Sequence, residues 1–190
     1  NPYDSAEIAF KRLPKRQKPL SPDETRLLLT YVEKDHRDWF AFYLMAILTG
    51  LRLGELLACR WENIDWDGIR QGTSEWRPRY AVRETWTRVG FAPPKTAGSE
   101  DTVALSPELV EALRKHQAAE TLYRGLDCLD SGLIFAKPDG GVLYYRSVQR
   151  HFKEMLTACG IEDRRFHDLR HTCATLLIRE TATVKQVQRQ

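Results

Sequence analysis

Phe166-His167-Asp168-Leu169-Arg170-His171-Thr172-Cys173-Ala174-Thr175-Leu176-Leu177 is the stretch on which the reading of the fold turns. At about 100° per residue, a helix carries His167, Arg170, His171 and Ala174 on one side. Phe166, Leu169, Cys173, Leu176 and Leu177 fall on the other. An apolar stripe anchors such a helix in a core. The basic, hydrogen-bond-donating face that remains suits an anion such as a phosphodiester. Taken alone, the segment also reads as an amphipathic helix with a merely solvated basic face.

Working outward, Trp39 to Leu48 is wholly apolar, Thr49-Gly50 breaks the run, and Leu51-Arg52-Leu53-Gly54-Glu55-Leu56-Leu57-Ala58 resumes it. A helix apolar on all sides is buried. Gly50 is expected to end one helix and let the next begin near Arg52. Arg52 and Glu55 carry the only charges between Trp39 and Cys59. A charge in so apolar a setting needs a partner, and a helix start offers free N–H groups that favour anions. An Arg52–Glu55 pair at i,i+3 is the plainer alternative.

A chain of 190 residues with 42% hydrophobic content can bury one good core. No signal peptide is visible, and no apolar run reaches the roughly 18 residues of a membrane span. Cys59, Cys128, Cys159 and Cys173 lack C-x-x-C spacing. They argue against a zinc ribbon and for a reducing, cytoplasmic compartment. His167 and His171 have the spacing of helical metal ligands, but no Glu follows His167 as a zincin requires, so no metal is expected. Residues 1–20 hold Lys11, Arg12, Lys15, Arg16 and Lys18 against Asp4 and Glu7, a net +3 that equals the charge of the whole chain. The remaining residues, 21–190, are balanced. A basic, Pro-punctuated arm is attracted to a DNA backbone, where each neutralised phosphate releases counterions.

Ser21-Pro22-Asp23-Glu24 is a strong helix start, with Ser at the N-cap and Glu three residues on. Helices are expected over Pro22–Lys34, Asp38–Thr49 and Arg52–Ala58. Tyr80 to Val89 is β-branched and aromatic and reads as a strand. Lys95-Thr96 and Thr102–Leu105 flank a turn at Ala97-Gly98-Ser99, completing one small antiparallel sheet. A helix capped by Ser106 should run to about Ala119. Leu133–Ala136 and Val142–Tyr144 bracket a turn at residues 137–141. Further helices are expected at Ser147–Cys159, His167–Arg179 and from Val184. The class is α+β, mainly α.

Thr49-Gly50-Leu51-Arg52-Leu53-Gly54-Glu55-Leu56 resembles the first box of the tyrosine recombinase (phage integrase) family. His167-Asp168-Leu169-Arg170-His171-Thr172 resembles its His-x-x-Arg box, and Pro94-Lys95-Thr96-Ala97-Gly98-Ser99 resembles the hairpin carrying its lysine. The order and spacing agree. The resemblance implies a catalytic-domain fold with a small antiparallel sheet on one side. It implies a site-specific recombinase that cuts and rejoins double-stranded DNA by transesterification through a 3′-phosphotyrosyl intermediate. Residues 1–20 then correspond to a basic interdomain linker, with Lys11, Arg12, Lys15, Arg16 and Lys18 on DNA. Residues 21–190 correspond to a catalytic domain incomplete at its C-terminus.

The family's roles transfer residue by residue. Arg52 and Arg170 would hold the non-bridging oxygens, where planar guanidinium forks stabilise the charge that builds during in-line attack. Glu55 would orient Arg52, Lys95 would protonate the leaving 5′-oxygen, and His167 would take the nucleophile's proton. His171 would be supportive. The cations are side chains, so no cofactor is implied. Glu100-Asp101 departs from the basic residue common in relatives at that hairpin. The family's attacking tyrosine lies beyond the His-x-x-Arg box, whereas Tyr3, Tyr31, Tyr43, Tyr80, Tyr123, Tyr144 and Tyr145 all precede it. The chain is therefore expected to be inactive alone, with self-association as a tetramer on DNA belonging to a longer protein. A non-catalytic DNA-binding module derived from this fold is the alternative. A type IB topoisomerase shares the chemistry but fits the contexts of Arg52 and Arg170 less well.

Overall fold

The computed structural model describes residues 18–68, 78–94, 102–124 and 131–187. Ser21 opens α1 (Pro22–Asp35) with the expected capping box. Its hydroxyl accepts the Glu24 N–H at 3.1 Å, and the Glu24 carboxylate accepts the Ser21 N–H at 2.7 Å. α2 (Arg37–Thr49) follows after one residue, and every side chain from Ala41 to Ile47 is buried. No face of its middle meets water, as its unbroken apolar run requires. α2 packs against α1, against α4 (Pro107–Arg124) and against α6 (Asp168–Val187), while α5 (Tyr145–Ala158) lies on α1.

An aromatic chain ties the C-terminal helices to this hub. Phe42 of α2 meets Phe135 edge to face at 5.0 Å and Phe166 at 5.8 Å. Phe166 in turn meets Phe152 of α5 at 5.4 Å. Each ring contributes roughly 1.5–3 kcal/mol on burial, so the segment that leads into α6 is held firmly against the hub.

Gly50 caps α2 in the left-handed conformation, with φ 64°. A Cβ there would stand 3.2 Å from Cβ and Sγ of Cys173, so the residue also lets α6 approach the end of α2 closely. α3 (Leu53–Leu57) starts three residues later, directly after Arg52.

The strands are short and form two sheets rather than the one expected. β1 (Ile64–Asp65), β2 (Arg79–Ala81) and β5 (Thr102–Ala104) form an antiparallel sheet in the order β1-β2-β5, with Tyr80 opposite Ile64 and Val103. β3 (Thr85–Thr87) and β4 (Gly90–Ala92) form a separate hairpin, with Trp86 opposite Phe91. The expected strand over Tyr80–Val89 is thus interrupted at residues 82–84. Val82 turns inward, and Glu84 is held by Arg60 at 2.9 Å.

Helix boundaries differ from expectation by more than one residue in three places. α4 runs to Arg124 rather than Ala119, since neither Gly nor Pro intervenes before Gly125. α5 begins at Tyr145, two residues early. The two helices expected at His167–Arg179 and from Val184 are one, α6, because Asp168–Val187 contains no breaker. Leu177, placed on the apolar face, is 56% exposed and the neighbouring Ile178 67%, as α6 extends past the core. Among the described residues no helix is long and apolar enough to cross a membrane. Cys59, Cys159 and Cys173 are free thiols.

Candidate functional site

Arg52 leaves the short loop after Gly50 with its head half exposed, while Glu55, three residues on, is buried. The Glu55 carboxylate accepts both the backbone N–H of Arg52 at 2.8 Å and its Nη1 at 2.7 Å. The i,i+3 pair, read from the sequence as the plainer alternative, is therefore formed, and it works as a clamp: the buried acid fixes the half-exposed guanidinium.

The other helix arrives from across the hub. Arg170 is exposed, and its Nη1 donates to the Gly50 carbonyl at 2.8 Å. Cys173, one turn on, donates to the Leu48 carbonyl at 3.4 Å. The basic face of α6 is thereby docked on the loop that launches Arg52. His167 lies one residue before α6, exposed, with its ring edge-on to His171 at 5.5 Å. His171 is partly buried, and its Nε2 has no hydrogen-bond partner among the described residues.

Arg52 and His167 line one cleft of about 430 Å³. Its other walls come from Gly54 of α3, Thr85 and Trp86 of β3, Tyr145 and Gln149 of α5, and Arg165. The β3 wall is seated against α3 because Gly54 has no side chain; a Cβ there would stand 2.7 Å from Thr85 Oγ1 and from the Trp86 carbonyl. Arg60, which grips Glu84, also lies over the Phe91 ring at 5.0 Å and fastens the hairpin. Arg170 is not among the residues lining this cleft; it meets the site through Gly50.

His167 titrates below its ordinary value. Partial desolvation of the ring against the cleft wall is the main cause, followed by the positive surroundings of His171, Arg165 and Arg170. It is therefore a neutral base near pH 7, able to accept a proton. Burial acts against ionisation of Asp168, but hydrogen bonds from the Arg165 guanidinium and backbone N–H outweigh it and hold the carboxyl below the usual range.

A second groove, of about 320 Å³, lies where α1, α2 and α4 meet, and five carboxylates (Glu33, Asp38, Glu108, Glu111 and Glu120) line it against two cations, Arg37 and Lys115. Its excess of carboxylates over cations disfavours a phosphodiester, so the Arg52 cleft is the candidate for an anionic ligand. Among the described residues there is no cluster of three or more His, Cys, Asp or Glu able to hold a metal ion.

Of the remaining expected site residues, Lys95, Lys11, Arg12, Lys15 and Arg16 lie outside the described residues. Lys18 is described, and its ammonium is paired with Glu162 at 2.8 Å. Sequence reasoning missed Arg165, Trp86, Tyr145 and Gln149. For Arg165 a signal existed: Asp168 follows it by three, repeating the spacing of Arg52 and Glu55.

The architecture and the paired boxes define the catalytic-domain class of the integrases. A match to the phage integrase family over residues 18–190 shows that the chain belongs to that family. It is 30% identical over 161 residues to a XerC-like tyrosine recombinase of Caldanaerobacter subterraneus subsp. tengcongensis, covering 77% of this chain and 40% of that one. It is 29% identical to the ICEBs1 integrase of Bacillus subtilis, covering 95% of this chain and 48% of that one. The chain thus spans less than half the length of either relative. Among solved structures, the XerA recombinase superposes with a TM-score of 0.67 at 21% identity, covering 88% of this chain and 53% of that one. The Tn1549 transposon integrase bound to transposon right-end DNA gives 0.69 at 17% identity, covering 88% and 55%. These structural likenesses establish the fold.

Proposed function

We propose that this chain is the phosphodiester-binding part of a site-specific DNA recombinase, acting with double-stranded DNA in the cytoplasm. The observation that carries the reading is the junction at Gly50. Arg52 and Arg170, far apart in sequence, flank one glycine, and Arg52 shares a cleft with the neutral base His167.

In this reading Arg52 and Arg170 take the non-bridging oxygens of the scissile phosphate. Guanidinium forks match those oxygens in planar geometry, and they bind more strongly as charge builds at in-line attack. Glu55 fixes Arg52, and His171 supports the face on which His167 sits. His167 accepts the proton of an attacking tyrosine hydroxyl while the phosphorus–5′-oxygen bond breaks. Lys95 returns a proton to that oxygen, and a 3′-phosphotyrosyl bond remains; rejoining reverses each transfer. Residues 1–20 act as a basic linker to a DNA-clamping region, with Lys11, Arg12, Lys15, Arg16 and Lys18 on phosphates. Residues 21–190 form the catalytic domain, and tetramer formation on DNA belongs to the longer protein.

A duplex titration by fluorescence anisotropy at two salt concentrations tests the DNA reading. Weak binding that falls steeply with salt is expected. Charge-neutral replacement of the five arm cations should flatten the slope. Salt-insensitive binding, or none at low salt, contradicts it.

A further inference from the structure

The cleft holds a second clamped arginine. Arg52 and Arg165 both line it. In each case an acid three residues on, 7% exposed at its side chain, accepts the arginine's own backbone N–H and its guanidinium. For Arg52 these bonds are 2.8 and 2.7 Å to Glu55. For Arg165 they are 2.9 Å from the backbone N–H and 2.8 and 3.3 Å from Nη2 and Nε, all to Asp168. The guanidinium side chains are 45% and 56% exposed, so in both pairs the acid lies beneath and the cation above.

We propose that Arg165 is a further phosphate-binding arginine of the cleft, presented by Asp168 as Arg52 is presented by Glu55, and that it takes a backbone phosphate oxygen of the bound nucleic acid. The proposal rests on the DNA reading above and extends it to a residue outside the two family boxes. Asp168 grips the Nε–Nη2 edge of the guanidinium, and Nη1 makes no hydrogen bond among the described residues. A planar fork held along one edge keeps its other donors for a second oxyanion. Holding the side chain before the ligand arrives removes much of the rotamer entropy that a free surface arginine loses on binding. The competing explanation is that Arg165 only balances the buried Asp168 carboxylate, in which case its position on the cleft wall has no consequence.

Arg165→Gln separates the two, since glutamine keeps a donor for Asp168 but carries no charge. Binding of the chain to a short duplex is followed by anisotropy over a salt series, with folding checked by thermal melting. Arg165→Gln is expected to bind about three- to tenfold more weakly at low salt, with the slope of log K against log salt reduced by about one. Arg165→Lys is expected to keep the wild-type slope, because a point charge still displaces a counterion. Should Arg165→Gln fold poorly, the double change Arg165→Gln with Asp168→Asn removes the buried charge together with its partner, and the same loss of slope is expected. A folded single or double variant with wild-type affinity and slope would overturn the proposal and leave Arg165 as the counter-ion of Asp168. If the wild-type chain itself shows no salt-dependent DNA binding, the DNA reading fails and this proposal with it.

Discussion

Arg52 and Arg170 reach the Gly50 loop by opposite means. Arg52 is held by a buried carboxylate, so its pair is locally neutral. Arg170 is held by a backbone carbonyl, so its full charge stays on the surface. In the proposed phosphate site, the difference would separate two jobs. A clamped guanidinium supplies a fixed direction, and an unpaired one supplies net positive potential. It also separates the two residues energetically. Removing Arg52 leaves Glu55 as a buried charge without its partner, whereas removing Arg170 leaves a carbonyl with one fewer donor.

The largest expected effect is on chemistry, where the two arginines should behave alike. In a polypeptide that joins this chain to an attacking tyrosine, Arg52→Ala and Arg170→Ala should each slow cleavage of a nicked suicide substrate by on the order of a hundredfold or more. Normal cleavage by either variant removes that arginine from the reaction. The 190-residue chain alone should give no covalent DNA band on a denaturing gel, because no tyrosine follows Arg170. A band that Tyr145→Phe abolishes would show instead that the cleft supplies its own nucleophile.

Stability should split the pair. Arg52→Ala is expected to cost about 2 kcal/mol, less than the roughly 3–5 of a fully buried ion pair because the Arg52 head is half exposed. Arg170→Ala should cost about 1 kcal/mol or less, the worth of one hydrogen bond. For a domain of this size each kcal/mol shifts the melting temperature by about 2–4 °C. Equal shifts for the two variants would mean that Glu55 does not depend on Arg52.

The smallest effect is on acid stability. The folded pKa of His167 is depressed, so the unfolded chain binds more protons than the native one in the acid range. Its stabilising contribution is present above the ordinary histidine value of about 6.5 and is lost as pH falls through the folded value. Arg170→Ala removes one of the charges that disfavour protonation. The His167 titration, followed by NMR, should therefore move upward, toward the ordinary value. An unchanged titration would place Arg170 too far from His167 to influence it.

Much of this was legible in the chain because the signals were local. The unbroken apolar run of α2, the Ser21–Glu24 box and the His167–Arg170 face each declare themselves within a few residues. The strands did not: at two or three residues each they are too short for alternation to show. Glu84 was drawn out of line by Arg60, a partner distant in sequence. Trp86, Tyr145 and Gln149 become neighbours of Arg52 only through tertiary packing, so no periodicity could nominate them. Leu177 shows the converse limit. Helical phase puts it on the buried side, but whether a core extends that far is decided by the rest of the fold.

A crystal structure of this chain with a short DNA duplex bears on all of these residues at once. It should show one backbone phosphate accepting hydrogen bonds from both Arg52 and Arg170 at about 2.7–3.0 Å, with the His167 ring beside it. A duplex seated elsewhere, with the two guanidinium groups contacting no common phosphate, would contradict the assignment of this cleft.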